Sequence, residues 1–183
     1  MKILTATLAA ASLLALAACD SAAEAPAEEA TPTEEAAPLS ASATLVDTAG
    51  NEVGTVTATD NGGTLAISLS VNGLPEGEHG AHIHTTGDCS AADFTSAGGH
   101  WNPGETNHGV NSEAPNPHAG DLPNLVIDAE GNGTLEAVSS GSMAGLLDDD
   151  GAAFIVHADP DDYQSQPTGN AGARLACGVF AMN

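Results

Sequence analysis

Seven histidines occur in this chain, and all of them fall between His79 and His157. That clustering constrains the fold more than any apolar run, because six of the seven are spaced as two metal sites would need. The tightest segment is His79-Gly80-Ala81-His82-Ile83-His84. Side chains in a strand alternate with period two, so an H-x-H pair presents both imidazoles to one face. A single metal ion can then take His82 and His84 together, and the chain reads as a metalloprotein.

The rest of the domain carries the same period of two. Thr64 to Val71 puts Leu65, Ile67, Leu69 and Val71 on one face and Ala66, Ser68 and Ser70 on the other. Ser40 to Asp47 and Val53 to Thr59 precede it, joined by Ala49-Gly50-Asn51, and Asp60-Asn61-Gly62-Gly63 makes the next turn, giving a three-stranded meander. Gly80 to Thr85, Asn124 to Ile127, Gly133 to Ser139, Ala152 to His157 and Arg174 to Met182 complete the set. No stretch has convincing helical periodicity, and eight short strands predict an all-β sandwich or flattened barrel. Two connections, Thr86 to Pro123 and Ala158 to Ala173, are far longer than a hairpin needs. Long loops inside a compact domain are commonly functional, and the first of these carries His100, His108 and His118.

The amino-terminal forty residues are not domain-like. Met1-Lys2 and the apolar run Ile3 to Ala18 predict a signal peptide over residues 1–18, its apolar stretch too short to span a bilayer. Leu16-Ala17-Ala18-Cys19 is similar to a bacterial lipobox, in which the cysteine becomes the lipid-modified first residue, and Asp20 resembles an inner-membrane retention signal. Residues 19–38 then read as the lipidated Cys19 followed by a disordered acidic tether of Ala, Glu, Pro and Thr, with the folded domain over 39–183. Net charge is −23, with 25 acids against Lys2 and Arg174. Such a surface repels nucleic acid and anionic head groups, which excludes both as partners. Of the three cysteines, assigning Cys19 to lipid leaves the even pair Cys89 and Cys177. In an exported protein that pair is expected as a disulfide, and its long loop makes the chain-entropy gain roughly 4 to 5 kcal/mol.

The candidate ligands are His82, His84, His100, His108, His118, Asp121 and His157. Four imidazoles suit tetragonal copper(II), and three imidazoles with one carboxylate suit tetrahedral zinc. Six histidines and one aspartate fill both sites only if one histidine is shared.

Five of these residues, His82, His84, His100, His118 and Asp121, sit in the first three of four motifs: His79 to His84, Gly98-Gly99-His100-Trp101-Asn102-Pro103, His118-Ala119-Gly120-Asp121-Leu122, and Gly169-Asn170-Ala171-Gly172-Ala173-Arg174-Leu175-Ala176-Cys177-Gly178. In this order they resemble the copper/zinc superoxide dismutase family, and the resemblance spans essentially all of residues 39–183. It implies a Greek-key β-sandwich and dismutation of superoxide to dioxygen and hydrogen peroxide in the bacterial cell envelope. It places copper on His82, His84, His100 and His157, and zinc on His100, His108, His118 and Asp121, with His100 as the bridge and proton carrier.

Further roles follow from the same resemblance. Arg174 corresponds to the substrate-guiding arginine, and Thr168 to a residue bordering the channel. Asp161, with Asp159 and Asp162 as neighbouring alternatives, corresponds to a carboxylate linking a copper histidine to a zinc histidine. His79 is left with a structural hydrogen-bonding role, and Trp101 with packing. The eleven-residue step from Cys89 to His100 is similar to bacterial members, some of which form homodimers. The loop from Asp159 to Gly169 lacks the lysines that steer superoxide in many members. A non-catalytic copper/zinc binding module on the same fold is the competing reading, but such a protein would be expected to have lost copper ligands or the arginine.

Overall fold

The computed structural model of the protein describes residues 37–109 and 117–183. The signal peptide, Cys19 and all but the end of the tether lie outside the described residues.

Three strands, β1 (Ser40–Asp47), β2 (Glu52–Asp60) and β3 (Leu65–Val71), form the expected meander. The first turn is closed by the Asp47 carboxylate, which accepts from Ala49 N at 2.9 Å, Asn51 N at 2.8 Å and Asn51 Nδ2 at 2.9 Å. A short-chain acid satisfying backbone donors in this way is the usual chemistry of a tight turn. Along β3 the alternation holds at every position: Leu65, Ile67, Leu69 and Val71 are buried, whereas Ala66, Ser68 and Ser70 are exposed. One slip of register would invert the whole set, so burial fixes the pairing.

The remaining strands are β4 (Gly77–His79), β5 (Ala81–His84), β6 (Leu125–Ile127), β7 (Gly133–Ser139), β8 (Ala153–His157), β9 (Arg174–Val179) and β10 (Ala181–Met182). Their order is β4-β6-β7-β3-β2-β1-β9-β8-β5, with β10 on β1, and every pairing is antiparallel. β4 and β5 stand at opposite ends of this order yet are joined through Gly80, so the sheet is a nearly closed barrel. The all-β barrel is as expected, with ten strands among the described residues where eight were expected. Gly77–His79 is too short and polar to show a period in the sequence. The last expected strand breaks at Phe180, which turns into the core while its N–H bonds Ala152 O at 3.0 Å. Among the described residues the one α-helical turn, α1 (Met143–Leu146), is capped by Ser142 and buries Met143 and Leu146.

The core is the inward side of the barrel, with Leu45, Leu65, Ile67, Ile83, Leu125, Leu146 and Phe154 fully enclosed. At about 1.5 to 3 kcal/mol for each large side chain, this burial is the main stabilising contribution. Trp101 joins it as packing, its indole lying in a slot beside Gly141, where a Cβ would come within 2.1 Å of the ring.

Candidate metal centre

The site is built on β5. Its outer edge would leave backbone groups unpaired, and the long loop after it folds back to take them. Ile83 N donates to Gly120 O at 2.9 Å, Trp101 N to Ile83 O at 2.8 Å and Thr85 N to Gly99 O at 2.9 Å. The same pairing sets His84 opposite His100 and His82 opposite Asp121. On the other edge, β8 pairs with β5 and ends at His157, which a register shift sets opposite Arg174 of β9.

All seven expected donor residues are buried. They form two groups, His82, His84, His100 and His157, and His100, His108, His118 and Asp121, each with its ligand atoms within 4.8 Å of one another. His100 belongs to both. In the second group three nitrogens converge on Asp121 Oδ1: His100 Nδ1 at 2.8 Å, His108 Nδ1 at 3.0 Å and His118 Nδ1 at 3.2 Å. In the first, His84 Nε2 faces His157 Nε2 at 3.3 Å, and the His82 and His100 rings lie 3.9 Å apart.

The outward-facing nitrogens are each occupied. His84 Nδ1 meets Gly98 O at 2.9 Å, His118 Nε2 meets Thr106 O at 3.1 Å, and His157 Nδ1 meets Gly172 O at 3.4 Å. Of the three aspartates that could link the groups, it is Asp161 that lies between them. Its Oδ2 is 2.8 Å from His82 Nε2 and its Oδ1 is 2.9 Å from His108 Nε2. Asp162 instead caps Gln164 and Ser165. Among the described residues three buried side-chain nitrogens make no hydrogen bond: His82 Nδ1, His100 Nε2, and His118 Nδ1, whose 3.2 Å approach to Asp121 Oδ1 lacks hydrogen-bond geometry. Buried polar atoms in folded proteins nearly always have partners, so these three fit a cation.

The sequence family described as copper/zinc superoxide dismutase (SODC) matches residues 52–180. The chain belongs to that family. The Cu-Zn superoxide dismutase of Caulobacter vibrioides is 43% identical over 149 residues, 76% of this chain and 85% of that protein. The superoxide dismutase-like protein YojM of Bacillus subtilis is 42% identical over 148 residues, 76% of this chain and 74% of that protein. Among solved structures, the Cu/Zn superoxide dismutase from Brucella abortus matches with a TM-score of 0.65 at 31% identity, covering 78% of this chain and 99% of that one. A SOD-like protein from Bacillus subtilis matches with a TM-score of 0.67 at 39% identity, covering 76% and 97%.

As a copper/zinc superoxide dismutase, the protein is an enzyme that converts superoxide to dioxygen and hydrogen peroxide and uses both metals. The binding-only reading is not favoured, since both donor groups and Arg174 are present. Arg174 is half-buried, and its guanidinium donates to Phe94 O and to Gly98 O. Both carbonyls belong to the loop that the Cys89–Cys177 disulfide ties to β9, with a Cα–Cα distance of 5.9 Å. Thr168 is half-buried in the loop before Arg174, where its carbonyl accepts from Ala171 N. His79 has the structural role expected of it, its Nδ1 2.8 Å from His157 O and its Nε2 3.0 Å from Pro75 O.

Two residues escaped the reading of the sequence. The Asn124 carboxamide bonds both backbone groups of Asp161, and the Gln166 carboxamide does the same to His108. Neither lies in a motif, and only the fold brings them to their partners.

Burial sets the proton affinities of the metal-free site. It pushes His100 down to about 4 and His157 down to about 3, and takes His84 well below its ordinary value. His108 goes the other way. Burial is the largest single influence and opposes its charge, but bonds from Asp121 and Asp161 together raise it to about 9. Both carboxylates are held well below their usual range, because those same imidazole bonds outweigh desolvation.

As pH falls from 6.5 towards 4, the unfolded chain binds protons on His84, His100 and His157 that the fold excludes, so stability is lost. Asp121 and Asp161 extend that loss below their ordinary 3.8. The His108 contribution is complete below 6.5 and disappears as pH rises through about 9. Calorimetry of the metal-free domain is therefore expected to show a Tm maximum near neutrality with the steeper fall on the acid side. A Tm unchanged between pH 7 and 4 would contradict these assignments.

Proposed function

We propose that His82, His84, His100 and His157 hold copper, that His100, His108, His118 and Asp121 hold zinc, and that His100 is shared. The three unpartnered buried nitrogens support this reading, two in the first group and one in the second, since each belongs to a residue whose ligand atom lies within 4.8 Å of the others in its group. Four imidazoles match copper, and three imidazoles with a carboxylate match zinc.

Copper held by those imidazoles would supply a one-electron couple for the reaction, in which two superoxide anions and two protons give dioxygen and hydrogen peroxide. The chain's own residues serve that exchange. Asp121 holds His100 Nδ1, which leaves Nε2 as the atom that carries a proton to the reduced substrate. The Nδ1 atom lies 2.8 Å from Asp121 Oδ1. Asp161 fixes the tautomer and direction of His82 and His108 together. Arg174, the one arginine of the chain, offers the anion a fixed positive charge beside His157, and Thr168 borders the approach.

Elemental analysis of the domain is expected to give one copper and one zinc per chain. His84→Ala is expected to abolish dismutation while zinc stays, and Asp121→Asn to loosen zinc first. Full activity with both metals in both variants would overturn the assignment.

Electrostatic capture has an unusual form in so acidic a protein. At roughly 0.01 M salt the Debye length is about 30 Å and distant acids repel superoxide, whereas near 0.15 M it is about 8 Å and they are screened. Arg174 and the metals act at shorter range. The bimolecular rate constant should therefore stay flat or rise over that interval and fall only beyond it, and Arg174→Glu should lower it at every salt concentration. Pulse radiolysis showing a steep fall from the lowest salt upward would refute this.

The amino-terminal segment gives the location. Cys19 is read as a lipid-modified residue holding the enzyme to a membrane of the bacterial envelope, facing the periplasm. The Cys89–Cys177 bond supports an oxidising compartment. Two acyl chains give a stable hold where one does not. Fractionation is expected to find the wild type with membranes and Cys19→Ser either released or unprocessed. A wild type recovered wholly in the soluble periplasm would exclude the anchor.

A further inference from the structure

His108 is the most precariously placed of the zinc donors. It is fully buried, but it lies in a stretch without regular secondary structure, next to residues 110–116, which are outside the described residues. The local bonding of that stretch stops short of it: the Asn102 carboxamide closes on Thr106, with Nδ2 to Thr106 O and Thr106 N to Oδ1 both at 3.0 Å. Buried backbone groups need partners, and for His108 both come from a single side chain far away in sequence. His108 N donates to Gln166 Oε1 at 2.8 Å, and Gln166 Nε2 donates to His108 O at 3.0 Å. Among the described residues, neither group has another backbone or side-chain partner.

The Gln166 carboxamide is itself aimed by its own loop, since Nε2 also donates to Gln164 O at 3.2 Å. The same loop presses on the neighbouring residue. Gly109 has φ 113°, and a Cβ there would come within 2.0 Å of Tyr163 O, so only glycine fits. The Gly109 N–H is thereby free to donate to Asp121 Oδ2 at 2.8 Å. The loop before Arg174 therefore grips His108 by its backbone through Gln166 and by its ring through Asp161.

We propose that Gln166 is a positioning residue for zinc: it locks the backbone of His108 so that Nδ1 faces the zinc donors while Nε2 stays on Asp161. The proposal rests on the zinc assignment given above and adds a residue that never touches the metal. Its physical content is a reciprocal pair of amide hydrogen bonds, one to each of the two peptide units that flank the His108 Cα, which together fix that residue's backbone as a single bond cannot.

The test uses the copper- and zinc-loaded protein and reads zinc release to a chromophoric chelator, together with the visible spectrum of cobalt(II) placed in the zinc site. Gln166→Leu removes both bonds and is expected to speed zinc release about 10- to 100-fold, the usual effect of losing a residue that orients a ligand. The cobalt bands should shift or weaken, and the copper electron paramagnetic resonance spectrum should stay close to wild type. Gln166→Glu keeps the acceptor for His108 N and loses the donor to His108 O, so it should fall between the two. Gln164→Leu alters the same loop without touching His108 through its side chain and should match wild type.

Wild-type release and cobalt spectrum in Gln166→Leu would overturn the proposal, as would equal acceleration in Gln164→Leu, which would mean general loosening of the loop. If Gln166→Leu does not fold, Gln166→Glu decides by the same readings. Asp121→Asn separates the two levels of inference. Unchanged zinc retention in that variant refutes the zinc assignment, whereas lost zinc there with normal zinc in Gln166→Leu refutes the role of Gln166 alone.

Discussion

Six imidazoles and two carboxylates withdrawn from water form an arrangement that a fold tolerates only when nearly every nitrogen and oxygen has a partner. Here the two acids do most of that work. Asp121 bonds the His100 and His108 imidazoles through one oxygen, with His118 Nδ1 close by, and two backbone N–H groups through the other, and Asp161 spans His82 and His108. What the protein leaves unsatisfied is confined to the atoms that face the centre of each group. Polar bonding and metal binding are thus the same problem, since the bonds that hold each ring also decide which nitrogen remains open.

The barrel contributes geometry more than chemistry. β5 supplies two imidazoles to one side, β8 ends in a third, and loop backbone added to the β5 edge carries His100 and Asp121 into place. Ligands on strands are held to the precision of the sheet. Site residues on loops need extra fixing, and hydrogen bonds from Asn124, Gln166 and Arg174, each from a distant part of the chain, supply it. The disulfide belongs to the same group of devices, because it ties to β9 the loop whose carbonyls hold the guanidinium.

The legible parts of this protein in its sequence were those governed by local periodicity or by a short motif. Alternation from Leu65 to Val71 reports a half-buried strand because the period of two is a property of the strand itself. The H-x-H pair reports a shared face for the same reason, and every donor later found in the two groups could be named in advance. β4 was not legible, since three residues cannot display a period. Gln166 and Asn124 were not either. Their partners lie 58 and 37 residues away, and an exposed carboxamide in a polar loop looks like any other until the chain is folded.

The junction at Gly80 has a consequence for how the molecule behaves among copies of itself. Exposed strand edges are templates on which another chain can add, and open sheets must blunt them with charge, proline or bulges. In this barrel the two terminal strands run into each other, and the outer edge of β5 is occupied by the loop that bears His100 and Asp121. If that loop were released from its bonds to Ile83 and Thr85, the edge of β5 would be bared. The hazard then is not unfolding but a newly bared edge, and the strongly acidic surface is what would keep such edges apart.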